Sequence, residues 1–274
     1  MTARAWRGAA VLASLLLACL AVRAQSESAP WQVEAGVGAD HLSSGAPAWS
    51  QLDLSLRRQW APRRIGELSL RRTRRSGLAD EELGALVGLP LDSQWSATVA
   101  ATLSPSHHVL ARGSARIELA RAFDAGWVAS ALFARRLYSD AGNSQVGVGV
   151  ERYLGAWRLA AALGQTRLDG GGSAGNLRLQ LDHYFDGERG RASVILARGR
   201  ELEGLPASAL AAADVIDQRV STLAVTGVWP LAPAWALTGE ASRVRHDDVQ
   251  RRSGAVAGAT YHRSGVRLGV RHDF

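Results

Sequence analysis

Val266-Arg267-Leu268-Gly269-Val270-Arg271-His272-Asp273-Phe274 is the stretch whose reading decides the fold of this 274-residue chain. Val266, Leu268 and Val270 fall at every second position, and Phe274 closes the series. Arg267, Gly269, Arg271 and Asp273 lie between them, and His272 interrupts the apolar set. Two-residue alternation makes a strand with one oily and one polar face. The same pattern recurs upstream. Trp31, Val33, Ala35, Val37 and Ala39 alternate with Gln32, Glu34 and Asp40. Leu52, Leu54 and Leu56 alternate with Asp53, Ser55 and Arg57. Trp95 to Leu103, Val146 to Val150, Trp157 to Leu163 and Leu177 to Leu181 repeat it. Segments of about ten residues match what a tilted strand needs to cross a bilayer.

An alternating strand that ends on an aromatic residue resembles the C-terminal recognition strand of bacterial outer-membrane β-barrels. Val266, Leu268, Val270 and Phe274 are then the membrane-insertion signal, read by the barrel-assembly machinery. The other end of the chain supports export. Arg4 and Arg7 form a positive n-region, Gly8 to Val22 an apolar h-region, and Val22-Arg23-Ala24 a small-residue cleavage site. Residues 1–24 are thus a predicted signal peptide, and 25–274 a single barrel domain. A lipoprotein signal at Cys19 is the alternative; Leu17 and Leu20 fit its pattern poorly. Cys19 is the sole cysteine, so cleavage after Ala24 removes disulfides and cysteine metal sites from consideration.

Composition agrees with this class. After the signal no apolar run reaches 18 residues, which excludes spanning helices. Yet 47% of residues are apolar at near-neutral mean hydropathy, as expected when hydrophobic residues alternate rather than cluster. Every basic residue is arginine, and the net charge is +7, of which Arg4, Arg7 and Arg23 leave with the signal. A basic balance can mark nucleic-acid binding. Arginines scattered along the strands of an exported chain do not form such a patch, so nucleic acid is not an expected partner.

Two kinds of connection punctuate the strands. Short ones lie beside aromatic residues, at 59–62, 91–95, 123–127, 154–157, 186–190 and 229–235. Tryptophans 31, 60, 95, 127 and 157 recur about once per hairpin. Aromatic side chains prefer the bilayer–water interface, which places these turns at one membrane face, the periplasmic one. Longer polar stretches at 41–48, 74–81, 104–108, 139–144, 168–175, 202–217 and 246–252 are predicted extracellular loops. Counting hairpins gives about 14 strands, with 12 or 16 as alternatives. The pieces 234–245, 254–262 and 266–274 make an odd number, which the shared side of the termini forbids. Either 254–262 belongs to a long bent final strand or an earlier hairpin is wrongly divided. Ala207 to Ala213 is a candidate helical turn over the mouth.

Several short motifs resemble the YaiO family of outer-membrane β-barrels. They are Pro47-Ala48-Trp49, Leu103-Ser104-Pro105, Gly113 to Leu119, Gly126 to Ser130, Glu151 to Trp157 and Asp182 to Asp186. The family's closing Tyr-Arg-Phe stands here as His272-Asp273-Phe274. The resemblance implies a barrel, and neither a reaction nor catalytic residues.

Candidate chemistry is sparse. Ser106-His107-His108 and His246-Asp247-Asp248 lie in predicted loops. A serine, a histidine and an orienting carboxylate at the rim would serve an acyl hydrolase or acyltransferase. Solvated loop residues are the plainer reading. No cofactor or metal is expected: Asp247 and Asp248 are too few for calcium. Gly147-Val148-Gly149 and Gly170-Gly171-Gly172 lack the following helix that phosphate cradling needs.

If the apolar set faces lipid, the opposite set faces inward. It holds Arg57, Arg71, Arg112, Arg116, Arg158, Arg178, Arg267 and Arg271. It also holds Glu34, Asp53, Glu67, Glu118, Glu151, Asp182 and Glu240. Two readings follow: an arginine-weighted conduit for an anionic solute or glycan, or an ion-pair network bracing a narrow barrel, which a wall holding both signs favours. Arg72, Arg74, Arg75, Arg251 and Arg252 are placed to meet lipopolysaccharide phosphates. The sequence thus predicts a non-enzymatic outer-membrane conduit or surface component, with a link to envelope glycan export. A rim-sited acyl hydrolase and a structural or adhesion barrel are the alternatives.

Overall fold

The computed structural model describes residues 31–44, 48–61, 63–139, 141–187, 189–205, 214–251 and 259–274. The predicted signal peptide and the Ala207–Ala213 segment lie outside the described residues. Fourteen strands make up the described chain. The first seven are β1 (Trp31–Leu42), β2 (Trp49–Ala61), β3 (Arg64–Arg75), β4 (Leu78–Pro90), β5 (Trp95–Leu103), β6 (Gly113–Phe123) and β7 (Trp127–Leu137). Then follow β8 (Gly142–Leu154), β9 (Trp157–Leu168), β10 (Ser173–Phe185), β11 (Gly190–Leu205), β12 (Asp214–Ala232), β13 (Trp235–Arg251) and β14 (Ala259–Asp273).

Each strand pairs antiparallel with its sequence neighbours, and β1 pairs with β14 to close the wall. The closing register sets Val37 opposite Leu268 and Gln32 opposite Asp273. Trp31 and Phe274 exchange both backbone hydrogen bonds at 2.8 Å, so the last residue of the chain completes the seam. Closure leaves no unpaired edge, the condition for a sheet to cross a bilayer.

The apolar side chains are outside. Val37, Leu54, Val99, Val148, Leu163, Leu196, Leu223 and Leu268 are all exposed, several by more than half. Together they form a belt around the barrel. In water such a continuous apolar surface would drive association; against lipid chains it is the favourable arrangement. The intervening residues point inward, because successive side chains of a strand take opposite faces.

The connections differ from the predicted loops in one systematic way. Strands continue past the apolar belt at the loop end, because charged side chains can face water from a paired backbone. The predicted 74–81 loop shrinks to Ser76-Gly77, both at positive φ (50° and 84°), as a two-residue hairpin turn requires. The strands β11 and β12 extend the hairpin to Leu205 and Asp214, and β13 runs through 246–251. Ala259–Asp273 form one long final strand, which resolves the odd count at the C-terminus. A register shift between His246 and Val249 accommodates it.

Candidate functional site in the barrel lumen

Inward charges form ladders along the wall. On β2, β3 and β4, Arg71 donates to Asp53 (2.8 Å) and to Glu82 (3.4 Å). On β8, β9 and β10, Arg158 joins Glu151 (3.4 Å) to Asp182 (2.7 Å). Arg116 pairs with Glu118 two residues along β6, and Arg267 of β14 with Glu240 of β13 at 3.1 Å. Arg178 donates to Gln180. Glu34 accepts from Thr238 across the glycine gap at Gly269. Asp53, Glu34 and Glu67 line the same cavity. Each of these ion pairs joins residues on one strand or on adjacent strands.

Asp182 is the most enclosed member of these ladders, with no exposed side-chain surface. It accepts from Arg158 Nε, Gln180 Nε2 and Ser193 Oγ at 2.7, 2.8 and 2.5 Å. A buried carboxylate is tolerated when its lone pairs are filled in this way.

Between the ladders the inner wall is small. Gly147, Gly149, Ala160, Ala162 and Gly164 line a cavity of about 360 Å³ with Arg116, Glu151, Arg158 and Arg178. Cavities of about 400 Å³ and 210 Å³ lie against the opposite wall and beneath the loop end. The strand glycines that invited a phosphate-loop reading instead keep the bore wide.

At the loop end lies the largest of these spaces, a vestibule of about 530 Å³. Trp49 projects into it, with Arg75 4.2 Å and Arg263 5.2 Å from its ring centroid. Arg136, Asn143, His246 and Tyr261 complete much of the lining. The His246 and Tyr261 rings stack at 4.3 Å and 6°.

Arg75 was expected among the extracellular arginines, and that placement is corrected. Arg75 shares the inward parity of Arg71 and Thr73 and stacks on Trp49. Arg112 lies in the β5–β6 connection, immediately before β6, and is exposed. Arg57 faces inward from β2, and Arg72 and Arg74 face outward. The side chains of Arg251 and Arg252 lie outside the described residues.

The loop histidines are kept apart. His107 and His108 sit within the β5–β6 connection, and His246 is on β13. His108 Nδ1 donates to Asp80 at 2.9 Å. Asp80, fully buried, also accepts from the backbone N–H groups of His108, Val109 and Leu110. This carboxylate pins the loop to β4. Ser106 Oγ accepts the Glu81 N–H, and His107 Nδ1 lies 3.0 Å from the Pro105 carbonyl. Asp247 pairs with Arg245 and Thr260 on the outer side, away from His246. Among the described residues no group of three or more His, Cys, Asp or Glu side chains could hold a metal ion.

Sequence reasoning missed Asp80, Trp49, Arg136, Asn143 and Arg263. Parity counted from Val146 and Val266 would have turned Asn143 and Arg263 inward. For Asp80 no local signal exists, because its partners lie 28 to 30 residues away.

The closed wall and its outer apolar belt define an outer-membrane β-barrel. Solved outer-membrane proteins match it along most of its length. The anion-selective porin from Comamonas acidovorans is 13% identical, with 90% of this chain and 100% of that chain covered and a TM-score of 0.46. Omp33 of Acinetobacter baumannii is 9% identical (90% and 100% covered, TM-score 0.47). OmpT of Vibrio cholerae is 7% identical (92% and 100% covered, TM-score 0.48). Likeness of this degree concerns barrel architecture alone, and no residue role is carried over. No protein-family model and no curated protein matches the chain, so the YaiO resemblance rests on its short motifs.

Proposed function

We propose that this chain is a non-enzymatic conduit for small anionic solutes in the bacterial outer membrane, reached by signal-dependent export. The observation that carries this reading is the course of the lumen charges. Arg71, Arg116, Arg158 and Arg267 find their partners along the wall, on the same or neighbouring strands. The glycine and alanine face of β8 and β9 leaves space beside them. Pairs that run along a wall stiffen it without filling the bore. Cavities of about 210 to 530 Å³ suit small solutes better than a polymer in transit. Arginine at the vestibule favours anions there.

Lipid supplies the remaining partners. The outward arginines Arg198, Arg200, Arg219, Arg243 and Arg245 stand above Leu196, Leu223 and Ala241 at the loop end. This height and charge suit lipopolysaccharide phosphates. Val266, Leu268, Val270 and Phe274 present the outward face that the barrel-assembly machinery would read.

Single-channel recording of the purified barrel in planar bilayers tests the conduit. Discrete conductance steps, with a reversal potential on the anion side in a salt gradient, are expected. A silent barrel that is correctly folded would overturn the reading in favour of a braced structural wall.

A further inference from the structure

The vestibule contains buried polar groups that find no hydrogen-bond partner among the described residues. His246 is 3% exposed and Asn143 4% exposed, and both border the cavity. Among the described residues, neither ring nitrogen of His246 has a hydrogen-bond partner, nor has Asn143 Oδ1. Buried polar groups are nearly always satisfied, and an unsatisfied one is destabilising. Both lie beside a concentration of positive charge. Arg75 and Arg263 lie over the Trp49 ring, which draws both guanidinium groups to one place. Arg136 adds a third cation to the same wall.

We infer that the vestibule is a binding site for an acidic sugar, a polyhydroxylated small molecule carrying one carboxylate. This rests on the conduit reading and specifies its solute. The carboxylate meets the arginines, whose planar forks match its two oxygens. Hydroxyl groups meet Asn143 and His246, because a hydroxyl both donates and accepts and so satisfies either. A simple inorganic anion would answer the charge and leave these two groups unpaired. A neutral sugar would answer them and gain nothing from the arginines. The volume, about 530 Å³, lies in the usual range for sites that enclose a small molecule.

Isothermal titration of the detergent-solubilised full barrel tests the site, with D-glucuronate, D-glucose, D-glucose 6-phosphate and acetate as probes. Glucuronate is expected to bind at least tenfold more tightly than glucose or acetate. Arg75→Gln with Arg263→Gln is expected to lower glucuronate affinity at least tenfold. Asn143→Ala with His246→Phe is expected to lower glucuronate affinity several-fold while leaving acetate unchanged. Arg136→Gln supplies a second charge variant, and heat-modifiable gel migration verifies folding of each. Equal affinity for glucuronate and acetate, or indifference to both double variants, would overturn the site. Tighter binding of glucose 6-phosphate than glucuronate would overturn the carboxylate assignment. Conductance without binding refutes this inference and spares the conduit; binding without conductance does the reverse.

Discussion

Trp235 and His272 stand directly opposite each other on β13 and β14, their ring centroids 4.3 Å apart at the turn end of the barrel. The pair is one instance of a repeated device. Trp31, Trp95 and Trp127 stand opposite Arg58, Arg121 and Arg152, with the guanidinium carbons 5.0, 5.5 and 5.0 Å from the ring centroids. Trp157 stands opposite His183 at 4.4 Å. Thus β1, β5, β7, β9 and β13 all begin on a tryptophan that faces a basic side chain on the following strand. An indole at the bilayer interface has an apolar body and a polar edge. A stacked cation lets the same pair present charge to lipid headgroups.

A double-mutant cycle on Trp127→Ala and Arg152→Ala checks the energy of this stacking. The coupling is expected at about 0.5–2 kcal/mol, since such contacts gain as they are withdrawn from water. Urea unfolding in lipid vesicles is the measurement, and additive single effects would show the stacking to be idle.

Asp182 is expected to be among the costliest lumen positions to change. Asp182→Ala strands Arg158, Gln180 and Ser193 without their shared acceptor. Loss of one partner from a buried pair costs about 3–5 kcal/mol. The double change Arg158→Met with Asp182→Leu removes both charges and is expected to recover much of that loss in the same unfolding assay.

The β5–β6 loop should loosen in acid through Asp80. The exposed Arg72–Glu81 pair marks water-facing surface at this level, above the apolar belt. Burial disfavours the Asp80 charge, but three backbone N–H groups and the His108 side chain hold its pKa down, from 3.8 to about 2. A carboxyl depressed in the folded state stabilises above its ordinary pKa and loses that contribution as pH falls through the folded value. Hydrogen exchange at Val109 and Leu110 should therefore stay protected at neutral pH. Protection should fall away between pH 3.8 and about 2. Asp80→Asn should expose both amides at neutral pH.

Neighbouring residues on β14 should respond oppositely to charge. Leu268 faces outward and is 55% exposed on the apolar belt, whereas Arg267 faces the lumen toward Glu240. Leu268→Arg is expected to cost about 2–4 kcal/mol of folding in vesicles, as for arginine near the bilayer midplane. Arg267→Gln should leave folding nearly intact and shift the reversal potential toward cations.

His272 illustrates how one residue can look like a defect in sequence and a fitting part in structure. Its imidazole interrupts the apolar series of the last strand, yet it packs between Trp235 and Phe274, its ring centroid 4.3 and 5.6 Å from theirs. Alternation identifies which face a side chain takes. It carries no information about what waits on the neighbouring strand.

The amino-acid sequence alone determined the strands, their two faces and the aromatic turn end, because these follow from a period of two and from solvent preference. Arg71, Arg116, Arg158 and Arg178 could be assigned inward on that basis. Tertiary structure decided the closing register, the extension of β11 to β14 past the belt, and the convergence of Trp49, Arg75, Arg136 and Arg263 on one vestibule. It also decided that Asp80 would hold a loop 28 to 30 residues distant. Such relationships depend on which residues of different strands share a height on the wall. Height is fixed by stagger accumulated across many pairings, and no local pattern encodes that sum.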